Sequence, residues 1–235
     1  MLENKLELID STLITPEKLN QAQTIIPAQY KRRLSHASRL ALTAALTVTE
    51  TTKLQKTSTI DYIVFGSQHG ELDNTVNVLN AISHKETLSP MKFSLAVHNA
   101  AAGLYTIIER INTPATSIAA GVDTFLMSML DAINFLKSNA NKTALVVVFD
   151  QLLPHCYQGL TIRYDCAYAI ALLLRNDTNS DSNICVSMTP YAQGINKRDI
   201  NATPAALEFY NWCHDASIQH TLVQYSLTQK FSWQS

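Results

Sequence analysis

The sequence predicts a layered α/β domain, and three observations carry that prediction. Short apolar runs of strand length, DYIVFGS at Asp61–Ser67, TALVVVF at Thr143–Phe149 and DCAYAIALLLR at Asp165–Arg175, read as strands buried on both faces. Segments with apolar residues at helical spacing alternate with these runs, the order that builds helices onto a sheet. The chain has 235 residues, enough to bury its own core, and shows no internal repeat, proline-rich linker or low-complexity tail. A single domain over residues 1–235 is the simplest organisation.

The elements follow in order. Behind the basic run Lys31–Arg33, residues Ala37, Leu40, Ala41, Ala44, Ala45 and Val48 recur at helical spacing, with Ser35 placed to cap the helix N-terminus. That face is narrow and small, suited to close packing on a sheet. Asp61–Ser67 is the first buried strand and opens into a loop at Gly66; Leu72–Ile82 returns to helical spacing through Val76, Leu79 and Ala81. Ser94–Arg110 reads as one alanine-rich helix tolerating Gly103, closed by Pro114. Thr116–Ala120 is a short strand ending at Gly121, and Phe125, Leu126, Met129, Leu130, Ile133 and Leu136 mark the next helix. After the strands Thr143–Phe149 and Asp165–Arg175 come a polar loop at Asn176–Asn183, a strand at Ile184–Met188 and a late helix at Ala205–Ala216.

Composition narrows the function. The net charge of −1 and a pI near 6.6 provide no field for nucleic acid or an anionic membrane. The first twenty residues are charged throughout and lack a signal-type apolar block, so no cleaved leader is expected. No window approaches 18 unbroken apolar residues, so no membrane span is expected. Cys156, Cys166, Cys185 and Cys213 have irregular spacing and form no C-x-x-C pair, which fits neither a zinc site nor a secreted disulfide framework and points to a reduced cytoplasm. Charged residues are only 16%, below the usual quarter. Two explanations fit: a large surface covered by another subunit, or a surface rich in Ser, Thr, Asn and Gln.

The seven histidines form no i, i+4 pair and no H-E-x-x-H, and there is no G-x-S-x-G elbow, P-loop or G-x-G-x-x-G. Neither a metal nor a nucleotide cofactor is expected. His155–Cys156 is the one adjacent imidazole and thiol, but neighbours in an extended segment point opposite ways, so a loop histidine beside a small cysteine is the better reading.

Ser89–Ala132, SPMKFSLAVHNAAAGLYTIIERINTPATSIAAGVDTFLMSMLDA, resembles the β-ketoacyl synthases, in which a strand leads to a nucleophilic cysteine at the start of the next helix. Aligned from Ser89 without a gap, the cysteine position falls on Val122, which can neither ionise nor form a thioester. Five ordered blocks, at Tyr30–Ala45, Val64–Leu79, Leu88–Leu104, Thr116–Phe125 and Val146–Pro154, are similar to the chain-length factors of aryl polyene biosynthesis. Members of that group carry an acidic residue in the A-G-x-D turn where this chain has Val122.

The resemblance implies a thiolase-like α-β-α fold, truncated relative to a full ketosynthase, whose second half would supply the histidines of decarboxylation. It implies a non-catalytic subunit that heterodimerises with a β-ketoacyl-ACP synthase and shapes its acyl tunnel, meeting an acyl carrier protein through that partner. On this reading Phe93, Met91, Lys92 and Leu95 face the tunnel or the partner, with His69 opposite. The strand Thr116, Ser117, Ile118, Ala119 and Ala120, with His98 and Asn99, forms the dimer interface. The rival readings are an independent thiolase-like acyltransferase or hydrolase using Cys156 or Cys166, and a carrier-binding module without influence on chain length.

Overall fold

The computed structural model describes residues 2–21, 25–55, 59–157, 166–176, 183–190, 203–214, 221–225 and 229–234. Its elements are β1 (Leu2–Ile14), α1 (Pro16–Gln21), α2 (Ala28–Lys31), α3 (His36–Gln55), β2 (Tyr62–Gly66), α4 (Leu72–Ser83), α5 (Pro90–Ser94), α6 (Ala100–Glu109), β3 (Ala115–Ile118), α7 (Thr124–Ser138), β4 (Thr143–Asp150), β5 (Tyr168–Arg175), β6 (Asn183–Pro190), α8 (Ala205–His214), β7 (Thr221–Tyr225) and β8 (Gln229–Gln234). The strands form one sheet in the order β3-β2-β4-β5-β1-β6-β8-β7. β2 runs parallel to β3 and β4, and the remaining pairs are antiparallel.

Each face of the sheet carries its own core, which is why β4 and β5 read as unbroken apolar runs. Val146 and Val148 of β4 pack with Phe125, Met129 and Ile133 of α7, while Leu145, Val147 and Phe149 pack on the opposite side with α3. α3 lays Ala37, Ala41, Ala44 and Ala45, all fully buried, over Ala169 and Ala171 of β5. Small side chains on both surfaces bring helix and sheet close. The Ser35 hydroxyl accepts the Ser38 N–H at 2.8 Å, the cap expected from the sequence.

Gly66 fixes where α7 meets the sheet. A Cβ there would lie 2.3 Å from the Ser128 hydroxyl, with the Thr124 methyl and Val148 also crowding it. Only a residue without a side chain lets the first turns of α7 seat on the end of β2.

The structure corrects several expectations. Ser94–Arg110 is not one helix: α5 stops at Ser94 and α6 starts at Ala100. The Asn74 amide donates to Leu95 O at 3.4 Å and the Thr75 hydroxyl to Ala96 O at 3.3 Å, so carbonyls a helix would use bond to α4 side chains instead. The edge strand is Ala115–Ile118 rather than Thr116–Ala120, because the chain leaves extended geometry at Ala120 to enter the turn at Gly121. β5 begins at Tyr168 and α8 ends at His214; Asp165 and residues 215–216 lie outside the described residues, as do 177–182 of the polar loop. β1, β7 and β8 are strands that the sequence pattern did not announce. No helix among the described residues is long and apolar enough to cross a membrane.

Candidate functional site

The parallel strands β2, β3 and β4 end on the same side, and the segments leaving them carry the candidate residues. From β3 the chain enters the turn Gly121–Asp123, where Gly121 takes φ +57°, and then α7. Val122 stands half-buried in this turn at the head of α7. The position lies at a helix N-terminus and holds an isopropyl group. Nearby hydroxyls are spent on the turn itself. The Thr124 hydroxyl donates to Gly121 O at 2.7 Å and accepts the Ala120 N–H at 3.0 Å, while Ser128 donates to Thr124 O at 2.7 Å. The turn Gly121–Asp123 holds no thiol.

The loop from β2 to α4, Ser67–Glu71, is organised around Asp150 at the end of β4. The buried carboxylate accepts the Ser67 hydroxyl at 2.8 Å and the N–H groups of Gln68 and His69, each at 3.1 Å. Burial pushes its pKa up to about 6, against the opposing pull of those bonds. Glu71, also buried, accepts the Ser35 and Ser38 hydroxyls and the Asn74 amide, and burial again raises its pKa. Gln151, next to Asp150, joins α3 to the first turn of α4 by accepting the Ala37 N–H and donating to Asp73. His69 is half-buried, and burial lowers its pKa. His98 reaches the same loop, its Nε2 lying 2.8 Å from Ser67 O. The sequence reading missed Asp150, Glu71 and Gln151; the available signal was an acidic residue closing a fully apolar strand.

The expected tunnel and interface residues separate into three groups. Met91, Lys92 and Leu95 line a groove between α4 and α5 together with Arg32 and Arg33. Phe93 is not among its walls; its ring is 60% exposed. Asn99 and Ser117 line a second hollow with Ala102, Gly103, Thr106 and Ala115, where the α6 surface meets β3. Among the described residues β3 is the terminal strand of the sheet, with β2 on one side and no strand on the other. Among them, too, the buried Ser117 hydroxyl has no hydrogen-bond partner and a Cβ added to Gly103 would meet nothing. Thr116 is held inward by a 2.8 Å contact with the Tyr62 hydroxyl, which donates to Asp131. Ile118 and Ala120 are half-buried and Ala119 is exposed.

Cys156 is exposed in a short turn with His155, and Cys166 lies in a separate groove with His36, Asp73 and Gln151. Among the described residues no cluster of three His, Cys, Asp or Glu side chains could hold a metal.

Residues 10–234 match the family model described as β-ketoacyl synthase, N-terminal domain. The chain belongs to this family. No curated protein sequence matches it. Among solved structures, a chain of the ketosynthase ApeO in complex with its chain length factor ApeC, from Xenorhabdus doucetiae, superposes with a TM-score of 0.77 at 23% identity, covering 98% of this chain and 99% of that one. The ishigamide ketosynthase/chain length factor matches with a TM-score of 0.62 at 13% identity, covering 80% of this chain and 68% of its own. A β-ketoacyl synthase from Burkholderia phymatum STM815 gives 0.61 at 8% identity, with 81% and 65% covered. The ketosynthase-type, thiolase-like fold expected from the sequence is therefore the fold of this chain, and it spans about two thirds of the last two structures.

Proposed function

We propose that this chain is the non-catalytic chain-length-factor subunit of a heterodimeric β-ketoacyl-ACP synthase, shaping the acyl tunnel of a catalytic partner in aryl polyene biosynthesis. The observation that carries the reading is Val122 in the turn at the head of α7. A condensing enzyme needs an ionisable nucleophile there. The other supports are the open edge of β3, its unsatisfied Ser117 hydroxyl, and the near-complete mutual coverage with a chain of the ApeO–ApeC complex. The partner's corresponding strand would pair along β3 and extend the sheet, burying more than roughly 2,000 Å² in total. An acyl carrier protein would be met through the partner.

The test is co-expression with a ketosynthase encoded nearby, followed by size analysis and intact-mass spectrometry after incubation with acyl-carrier thioesters. A stable one-to-one complex with no acyl adduct on this chain is the expected result. A monomer that ignores every such ketosynthase, or an adduct on Cys156 or Cys166 with thiol-dependent turnover, would replace this reading by the independent-enzyme one. Val122→Cys alone restores no condensation, because a nucleophile without oxyanion donors and a decarboxylating histidine pair is insufficient.

A further inference from the structure

Strand β1 and the end of α8 bring together a hydroxyl and an imidazole that the reading above leaves unused. Ser11 Oγ lies 3.1 Å from Nε2 of His214, the last residue of α8 and 203 positions away along the chain. The other ring nitrogen, Nδ1, lies 2.8 Å from Tyr210 O. A carbonyl oxygen can only accept, so Nδ1 carries the proton, and in the neutral ring Nε2 is left bare to accept the Ser11 O–H. Stacking on Tyr210, with centroids 4.1 Å apart and planes 20° from parallel, holds the ring in that orientation. Ser11 is held as well, its N–H donating to the Asp10 carboxylate at 2.7 Å. A hydroxyl, a bare imidazole nitrogen and a third group that orients the ring are the parts of an activated nucleophile, and the separation is within the reach such a pair needs. Position on the helix adds to this, because the carbonyls at the C-terminus of α8 favour the positive charge His214 takes on when it draws the serine's proton. Cys213 beside it does not compete, since burial pushes its thiol up to about 12.

We propose that Ser11 and His214 form a nucleophile–base pair that accepts an acyl group from an activated ester. Ser11 Oγ adds to the ester carbonyl as its proton passes to His214 Nε2. The bond to the leaving alkoxide then breaks, the alkoxide takes that proton from the imidazolium, and the acyl group stays on Ser11 as an ester. The Ser11 N–H is engaged by Asp10 and does not serve as an oxyanion donor, a loss of about 10²–10³ in rate. The pair therefore suits reactive esters with weakly basic leaving groups, and it holds the acyl group longer than a hydrolase would. In the sheet β5, β4 and β2 separate β1 from β3, so the inference does not rest on the chain-length-factor reading.

The experiment treats the full-length chain, co-purified with its ketosynthase where that complex forms, with an alkyl fluorophosphonate and, separately, with p-nitrophenyl acetate, and locates the adducts by peptide mass mapping. One phosphonyl or acetyl group on Ser11 of the folded chain is expected, and none on Ser11 once the chain is denatured in urea. His214→Ala should slow labelling of Ser11 at least about 100-fold, the lower range for a general base, with the melting temperature nearly unchanged. Added imidazole should restore part of that rate, which a purely structural role for the ring would not allow. No adduct on Ser11, equal labelling of Ser11 in the denatured chain, a rate unaffected by His214→Ala, or a loss that imidazole leaves in place overturns the proposal.

Discussion

Ser67–Glu71 and Pro90–Asn99 are neighbours, joined where His98 meets Ser67 O and where α4 packs on α5, yet they are built on opposite terms. In the first, the carboxylates of Asp150 and Glu71 accept hydrogen bonds from hydroxyls, an amide and main-chain N–H groups. In the second, Met91, Phe93 and Val97 are 43%, 60% and 42% exposed on a five-residue helix followed by turns. In the first region both carboxylates find their partners within the chain, and these contacts tie the loop to α3 and β4. The second leaves apolar surface of the kind another molecule covers. The edge of β3 belongs with the second: among the described residues the Ser117 hydroxyl is unmet and the strand has no neighbour on its outer side.

If that contrast is real, the largest effect comes from closing the open edge without touching the Ser67–Glu71 loop. Ile63 N–H donates to Pro114 O and Ser67 N–H to Ile118 O, so residues 114 and 118 face β2 and the alternate residues 115 and 117 face the free side. Ser117→Pro removes an outward N–H and leaves the β2–β3 ladder intact, a position at which an edge strand tolerates proline. The variant should fold with a melting temperature near that of the parent but lose the ketosynthase complex by at least about 100-fold, some 3 kcal/mol. Unchanged complex formation by size analysis would move the interface away from β3.

The converse test breaks that loop's contacts. Asp150→Val strands the Ser67 hydroxyl and two main-chain N–H groups in a buried site, each costing about 1–3 kcal/mol when unpaired. Chemical denaturation at pH 4, where the folded carboxyl keeps its proton and its desolvation counts least, should show a loss of about 3 kcal/mol or more. A loss below about 1 kcal/mol would mean that the loop is held by other contacts.

A smaller, pH-dependent effect separates the charge of Asp150 from its hydrogen bonds. Its folded pKa of about 6 lies above the ordinary aspartate value, so between about pH 4 and 6 the folded state keeps a proton that the unfolded chain has released. The associated stability is fully present below pH 4 and is lost as the pH rises through 6, up to about 3 kcal/mol over some two pH units. Asp150→Asn cannot titrate. Its stability measured against the parent should therefore improve from pH 4 to pH 7, and parallel curves would show that the carboxyl is not desolvated as the structure has it.

The same contrast governed what the sequence could reveal. β4 and β5 were legible because both faces are buried, and α3 because its alanine stripe meets the alanines of β5. β1 was not. A bulge between Leu8 and Asp10 interrupts its register, so Leu6 and Leu8 serve one core while Ile9 and Ile14 serve the other, and alternation fails as a guide. The break between α5 and α6 depends on Asn74 and Thr75 capturing carbonyls 21 residues away, a tertiary choice invisible to local propensity. The place of Val122 just ahead of a helix was legible because the blocks around it aligned without a gap. Asp150 was not, since its partner Ser67 is 83 residues distant and an acidic residue after a strand ordinarily begins a loop.

The smallest effect on folding, and the most informative about function, belongs to Phe93. Its ring is 60% exposed in this chain, so Phe93→Ala forfeits little burial and should cost less than about 1 kcal/mol in the isolated subunit. A buried core phenylalanine would cost about 3–5 kcal/mol, and a loss of that size in the complex alone would show that the ring becomes buried there. A conjugated polyene is rigid, so each added two-carbon unit needs about 2.5 Å more straight depth, from extended covalent geometry. If the partner closes over α5 with Phe93 at the tunnel floor, removing the ring deepens the floor by more than that step. The reconstituted Phe93→Ala complex should then make a product at least one two-carbon unit longer, read as a red-shifted absorption and confirmed by mass. Wild-type lengths from an intact mutant complex would take Phe93 out of this role and transfer it to Met91, Leu95 or His69, of which the first two line the groove on the other side of α5.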